Sequence, residues 1–253
     1  MNNKPVVLVT RPEPAATQLC KLLAANKLDY VKQPLLSYKA SGSSEQLQNT
    51  LLQHPPKIII FVSKAAVEFA HQIAPLAHWC ANAKTILAVG NKTQQALLSL
   101  GIQAIAPEQH NSEGLLALPQ LCHEQVAEQN ILIVRGNGGR ETLANTLKSR
   151  GAIVNYLESY QRYWLDFNED SSKIWLNSQI NTIVITSGEM LTHLINHLGN
   201  EKRYWVENAN WLVISERIAE LAQQLEIKKI YLSDGANNKA ISHALMNMEH
   251  IND

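Results

Sequence analysis

The sequence predicts an α/β protein made of two flavodoxin-like parallel-sheet domains joined by a two-stranded linker. Its first two parts rest on three observations: short β-branched runs alternate with helical stretches along the whole chain, those runs are numerous enough for two sheets, and the chain repeats itself. Strands that alternate with helices form βαβ units and hence parallel sheets. The length of 253 residues also exceeds a single domain of roughly 150 residues. In order, strands are predicted at residues 6–9, 30–32, 58–62, 86–89, 104–106, 131–134, 153–156, 183–185, 212–214 and 229–232. Helices are read between them from apolar residues at i, i+3 and i+4. Ala15, Leu19, Leu22 and Leu23 follow this spacing, as do Ile218, Leu221, Ala222 and Leu225.

The repeat appears at one constant offset. Arg11 falls on Arg135, Leu19 on Leu143, Leu23 on Leu147 and Leu36 on Tyr160. The same offset lays IIFVSKAAV over IVITSGEML, with Ser63 on Ser187. One residue further on, LAVGNKTQQALLSLGI lies over LVISERIAELAQQLEI. Blocks in the same order at nearly one offset indicate an ancient duplication. Each half offers a two-strand block and then a three-strand block, and five strands in the order 2-1-3-4-5 give a flavodoxin-like sheet. The blocks can pair within each half, or the first can pair with the last while the middle two pair together. The second arrangement makes the chain cross twice, near PLLSYKA and LESYQRYW. The residues themselves leave both open.

Charge and composition exclude several functions. There are 22 Lys+Arg against 22 Asp+Glu, with 45% hydrophobic and 17% charged residues. Duplex nucleic acid and anionic membranes both select a basic surplus or stripe, and this chain has neither. Disorder is excluded by the apolar content and the zero net charge. The N-terminus lacks a charged segment followed by an apolar run and a cleavage site, and no apolar run is long enough to span a bilayer. Cys20, Cys80 and Cys122 are scattered, without CxxC spacing, which fits a reducing cytoplasm. The five tryptophans read as packing residues.

Ligands of open parallel sheets bind beyond the carboxyl ends of the strands, so the residues there carry the functional reading. They are Thr10 and Arg11; Ser63 and Lys64; Gly90, Asn91, Lys92 and Thr93; Asn111, Ser112 and Glu113; the run from Arg135 and Gly136 to Gly139 and Arg140; Thr186, Ser187 and Gly188; and Ser215, Glu216 and Arg217. Helix capping accounts for the hydroxyls, and Asn91 with Gln94 reads as a capping box. Capping does not account for Arg11, Lys64, Lys92, Arg135 and Arg217 at helix starts, where the dipole disfavours cations. Bases beside free amides make anion sites, which implies a ligand rich in carboxylates or phosphates. GNGG at 136–139 lacks the dinucleotide spacing, and no phosphate-binding GxxxxGK[ST] loop exists. His193 and His197 stand four apart, but with no third ligand in sight they read as an ordinary helix face. No metal and no cofactor are expected. From the residues alone, this is a two-domain protein for a small polyanion, enzyme or non-enzymatic binding module.

Taken together, VLVTRPEPAATQLCKLL, FVSKAAVEF, AVGNKTQQAL, SEGLL, ILIVRGNGGRETLANTLKSRGAIVNYLESYQR and TSGEML resemble the uroporphyrinogen-III synthase family along the whole chain. The resemblance implies the crossed pairing: a discontinuous domain of residues 1–35 and 166–253, an inserted domain of 41–160, and linker strands at 36–40 and 161–165, with substrate held between the domains. It also implies a substrate, hydroxymethylbilane, a linear tetrapyrrole with eight carboxylates, received from the enzyme that makes it. Loss of its hydroxyl as water, attack by ring D and reclosure through a spiro intermediate would invert that ring. The family's tyrosine at the end of GA-x-V-x-x-x-x-x-Y falls on Tyr160, which would help the hydroxyl leave. Substrate contacts would fall to Thr10, Arg11, Ser63, Lys64, Gly90, Lys92, Thr93, Ser112, Arg135, Gly136, Ser187, Gly188 and Ser215. Ser215 stands where relatives carry a Gly-Pro-Thr-like turn. The implied protein is a cytoplasmic monomer.

Overall fold

Runs such as VVLV and IIIF are apolar at every position, and TIVI at all but its first, which suits strands covered by helices on both faces. The computed structural model describes residues 4–138, 141–167, 169–199 and 202–248. Its strands are β1 (Val6–Val9), β2 (Asp29–Lys32), β3 (Leu36–Ala40), β4 (Ile58–Phe61), β5 (Thr85–Ala88), β6 (Asn130–Gly136), β7 (Ile153–Trp164), β8 (Thr182–Ile185), β9 (Asn210–Val213) and β10 (Lys229–Leu232). They form two five-stranded sheets, β10-β9-β8-β1-β2 and β3-β7-β6-β4-β5. The chain divides into two compact units, Met1–Ser37 with Tyr163–Asp253, and Tyr38–Arg162.

In the first unit, β1 pairs in parallel with β2 and β8, β8 with β9, and β9 with β10. Side chains alternate between the faces, as strand geometry requires. Val7, Val9, Val184 and Leu212 pack against Leu19 and Leu23 of the helix Ala15–Ala25 and against Ile241 and Leu245 of the helix Asn238–Asn247. Leu8, Ile183, Ile185, Trp211 and Val213 face the opposite layer, with Trp175, Met190, Leu194 and Trp205. Trp79, Trp175, Trp205 and Trp211 are buried as expected, whereas Trp164 is 38% exposed.

In the second unit, β4 pairs in parallel with β5 and β6, and β6 with β7. Ile59, Phe61, Leu132 and Val134 pack against Ala66, Val67 and Ala70 of the helix Lys64–Ile73. Ile58, Ile60, Ile131 and Ile133 face Leu115 and Leu116 of the helix Ser112–Leu116 and Leu143 and Leu147 of the helix Thr142–Ser149. The repeated blocks take corresponding places, since β2-β1-β8-β9 matches β7-β6-β4-β5 position for position.

Three local expectations change. Residues 104–106 form a single parallel bridge, Leu87 to Ile105, instead of a strand; Pro107 follows and has no N–H to extend the ladder. The strand expected at 153–156 continues to Trp164. Leu165 N donates to Leu35 O (2.9 Å) and Ser41 N to Ser159 O (3.0 Å), so β3 runs antiparallel to this extension. Asn91 is the first residue of its helix, not the cap, because Gly90 holds that place. Gln94 turns away and donates to the carbonyl of Ala104 at 2.8 Å.

Candidate functional site

The parallel registers bring the carboxyl ends of β4, β5 and β6 to one edge of the second unit. Ser63 lies there, extended at φ −159, and its Oγ caps the helix Lys64–Ile73 by accepting from Ala66 N at 3.0 Å. Tyr160, 7% exposed, brings its phenol oxygen to within 3.3 Å of that same Oγ. Its ring stacks on Phe69 (5.5 Å, 28°) and meets Tyr38 edge-on (5.5 Å, 85°). Gly136 runs beneath it. A Cβ at Gly136 would come within 2.5 Å of Tyr160 Cε2 and Cζ, so the ring can sit there only over a glycine. Ser63, Gly136 and Tyr160, expected separately from sequence, are neighbours in the fold.

Arg135, next to last in β6, faces the opposite side, its side chain 11% exposed. Its guanidinium lies over the Tyr156 ring at 4.3 Å, pairs with Glu141 at 2.7 Å, and approaches Glu158 at 3.7 Å. Tyr156 donates to the other Glu141 oxygen at 2.5 Å. That hydrogen bond, then Arg135, holds the Glu141 carboxyl below its usual pKa. Burial, and then the bond to Glu141, push Tyr156 up to about 12. Beside this group lies a cavity of about 300 Å³ whose walls include Val62, Val89, Ser112, Ile133, Arg135 and Tyr156. Glu141, Tyr156 and Glu158 were not among the expected residues. The pairing of β6 with β7 brings Tyr156 and Glu158 to Arg135, while Glu141 reaches it from the start of the helix Thr142–Ser149. Gly139 and Arg140, also read as rim residues, lie outside the described residues.

The other expected residues of this unit divide. Lys64 forms an exposed i,i+4 pair with Glu68 at 2.9 Å, a weak interaction that a ligand can displace. Lys92 is exposed in the first turn after Gly90, where no side chain caps the helix. Ser112 follows the Asn111 cap and lines the cavity. Thr93, also expected to meet ligand, is 5% exposed.

In the first unit, the carboxyl ends of β1, β8 and β9 share an edge. Ser187 caps the helix Gly188–His197, accepting from Met190 N at 3.1 Å. Ser215 begins the helix Glu216–Gln224 with no capping bond from its side chain, so its hydroxyl is not spent on the helix. Arg217 is exposed in the first turn of that helix. Thr10, also expected to meet ligand, is fully buried and donates to Val184 O at 2.5 Å, which ties β1 to β8. Arg11 does not open a helix either. It binds the Asn238 side chain, and the carbonyl of Ala236 at 3.1 Å. Of the five bases, then, Lys64, Lys92 and Arg217 occupy helix starts, while Arg11 follows β1 by two residues and Arg135 is the penultimate residue of β6.

The two histidines behave as a packed face. His193 stacks on Trp164 (3.8 Å, 8°) and lies 4.1 Å from His197, whose Nδ1 is 2.7 Å from His193 O. Burial, and then His197, lower the His193 pKa. Among the described residues no group of His, Cys, Asp and Glu could hold a metal ion, and no helix is long and apolar enough to cross a membrane.

The family model described as uroporphyrinogen-III synthase HemD matches residues 17–242. Uroporphyrinogen-III synthase of Escherichia coli (strain K12) is 34% identical over 245 residues, covering 94% of this chain and 99% of that protein. The Salmonella typhimurium uroporphyrinogen-III synthase is 35% identical with the same coverage. A mutant uroporphyrinogen III synthase of Thermus thermophilus superposes with a TM-score of 0.66 over 99% of this chain and 100% of its own. The Helicobacter pylori uroporphyrinogen-III synthetase gives 0.59 over 97% and 99%. At 13% and 12% identity these two structures speak for the fold alone.

Proposed function

The chain belongs to the uroporphyrinogen-III synthase family, and we propose that it closes hydroxymethylbilane to uroporphyrinogen III with loss of water and inversion of ring D. The observation that carries this reading is similarity to curated synthases over nearly the whole chain. The bilane also closes unaided to the isomer whose ring D is not inverted, so the catalyst must steer as well as accelerate. Holding reacting groups in one orientation is worth roughly 7–11 kcal/mol at best, which makes positioning the main task.

In this reading Tyr160 gives its phenolic proton to the hydroxyl of the bilane as the C–O bond breaks, releasing water and the azafulvene as its N-protonated cation; the phenolate recovers a proton when final ring closure expels hydrogen from the pyrrole carbon that forms the last bond. The substituted carbon of ring D attacks the azafulvene, and the resulting spiro intermediate fragments and recloses with the ring turned. Ser63, 3.3 Å from the phenol, then stabilises the phenolate by donating to it. The carboxylates meet Lys64, Lys92, Ser112, Arg135 and the backbone of Gly90 and Gly136 in the second unit, and Arg11, Ser187, Gly188 and Ser215 in the first. No step uses a metal or cofactor. The protein acts as a cytoplasmic monomer, taking its bilane from the enzyme that forms it.

Single-turnover measurements with freshly made bilane test the assignment of Tyr160. Tyr160→Phe is expected to lower kcat roughly 10²-fold, the lower end of the general-acid range, with KM little changed. Wild-type turnover by this variant would remove Tyr160 from the chemistry.

A further inference from the structure

Tyr160 reaches Ser63 because β7 is irregular. Leu157 and Tyr160 pack in the same core layer although they are three residues apart, while a regular strand turns successive side chains to opposite faces. The pairing shows the cause: Arg135 is opposite Glu158, Gly136 is opposite Tyr160, and Ser159 is skipped. Such bulges re-aim a side chain. The extra residue is anchored, since the Ser159 hydroxyl is fully buried against the carbonyls of Ala66 (3.2 Å) and Arg135 (3.4 Å).

On the far side of the bulge, strand pairing of β6 has ended and Asn137 takes its place. Asn137 N donates to Tyr160 O at 2.9 Å. Its side-chain Oδ1 accepts from Arg162 N at 2.6 Å, and its Nδ2 reaches Arg162 O at 3.5 Å. One side chain therefore imitates a peptide unit and carries the ladder past the irregularity. We propose that Asn137 is a positioning residue for Tyr160: its amide fixes the bulged segment 158–162 so that the phenol is held over Gly136 and against Ser63. This rests on the reading that Tyr160 acts on substrate, and the test separates the two claims.

The experiment uses the full chain with its tyrosines carrying carbon-13 at Cζ, the Tyr160 signal being assigned by its loss in Tyr160→Phe. Asn137→Ala is expected to move the Tyr160 signal and to lower kcat about tenfold, with KM within about twofold, since a displacement of an ångström can cost this much or more. Asn137→Asp keeps the acceptor for Arg162 N and is expected to restore both signal and rate. Asn137→Ser, too short to reach that amide, serves in place of the alanine variant if the latter does not fold. An unmoved Tyr160 signal with unchanged kcat in a folded Asn137→Ala protein would overturn the proposal. Full turnover by Tyr160→Phe would instead overturn the role of Tyr160, leaving its signal in Asn137→Ala to decide whether Asn137 places it.

Discussion

Single residues at the edge of the second unit show how little of a site is set by residue type alone. Arg135 is legible as a rim base, but its environment is a cation faced by two carboxylates and laid on a tyrosine ring. Tyr156 carries the sharpest consequence. Its phenol, pushed up to about 12 from a usual 10, binds its proton more tightly in the folded protein than in the unfolded chain. The stability this provides is complete below pH 10 and is lost as pH rises from 10 towards 12. Urea midpoints across that window should fall less steeply for Tyr156→Phe than for wild type; parallel slopes would disprove the raised pKa of the Tyr156 phenol. Tyr160 was legible only through family resemblance. Nothing in its local pattern separates it from Tyr156 or Tyr163, because the skipped Ser159 that turns it inward leaves no periodic mark.

Elements were more readable than residues where apolar runs are long, and less so at their ends. Nine predicted strands appear; the central ones, such as β1, β4 and β8, are buried almost throughout because helices cover both faces of each sheet, whereas the edge strands β2 and β10 are partly exposed. The edge at residues 104–106 failed: three residues before a proline cannot sustain a ladder. The cap at residue 90 was missed because Asn91 is the better capping residue by type, while the backbone of Gly90 is the one extended into β5's rim. The helix Gly188–His197 packs His193 against both His197 and Trp164, and that packing gives the face a pH dependence. Burial and His197 lower the His193 pKa from the ordinary 6.5, so the folded state resists protonation. The contribution is therefore intact above 6.5 and is lost as pH falls through the lowered value. His193→Phe, which keeps a ring against Trp164, should flatten the acid side of a melting-temperature profile. An identical profile would show that His193 is not the group responsible.

For the molecule as a whole, the question left open by sequence was which blocks pair. Two halves with equivalent strand blocks satisfy hydrophobic patterning in either arrangement, and patterning has no term that ranks them. In the structure β1 lies between β2 and β8, and β6 between β7 and β4, so each sheet joins a two-strand block to the later block of the other half, which keeps three strands in the first unit and two strands with the Ile105 bridge in the second. Zero net charge likewise gave no hint of an acidic ligand. Its compatibility with one follows from the spacing of bases along strand ends, where Lys64 and Arg135 already pair with nearby glutamates. The central claim is steering, and the isomer ratio measures it. Purified protein is added in increasing amounts to freshly made bilane, the products are oxidised, and the porphyrin isomers are separated. The account predicts that type III replaces type I in proportion to protein until type I disappears. Type I alone at every concentration, matching the reaction without protein, would contradict it and leave a binding module in its place.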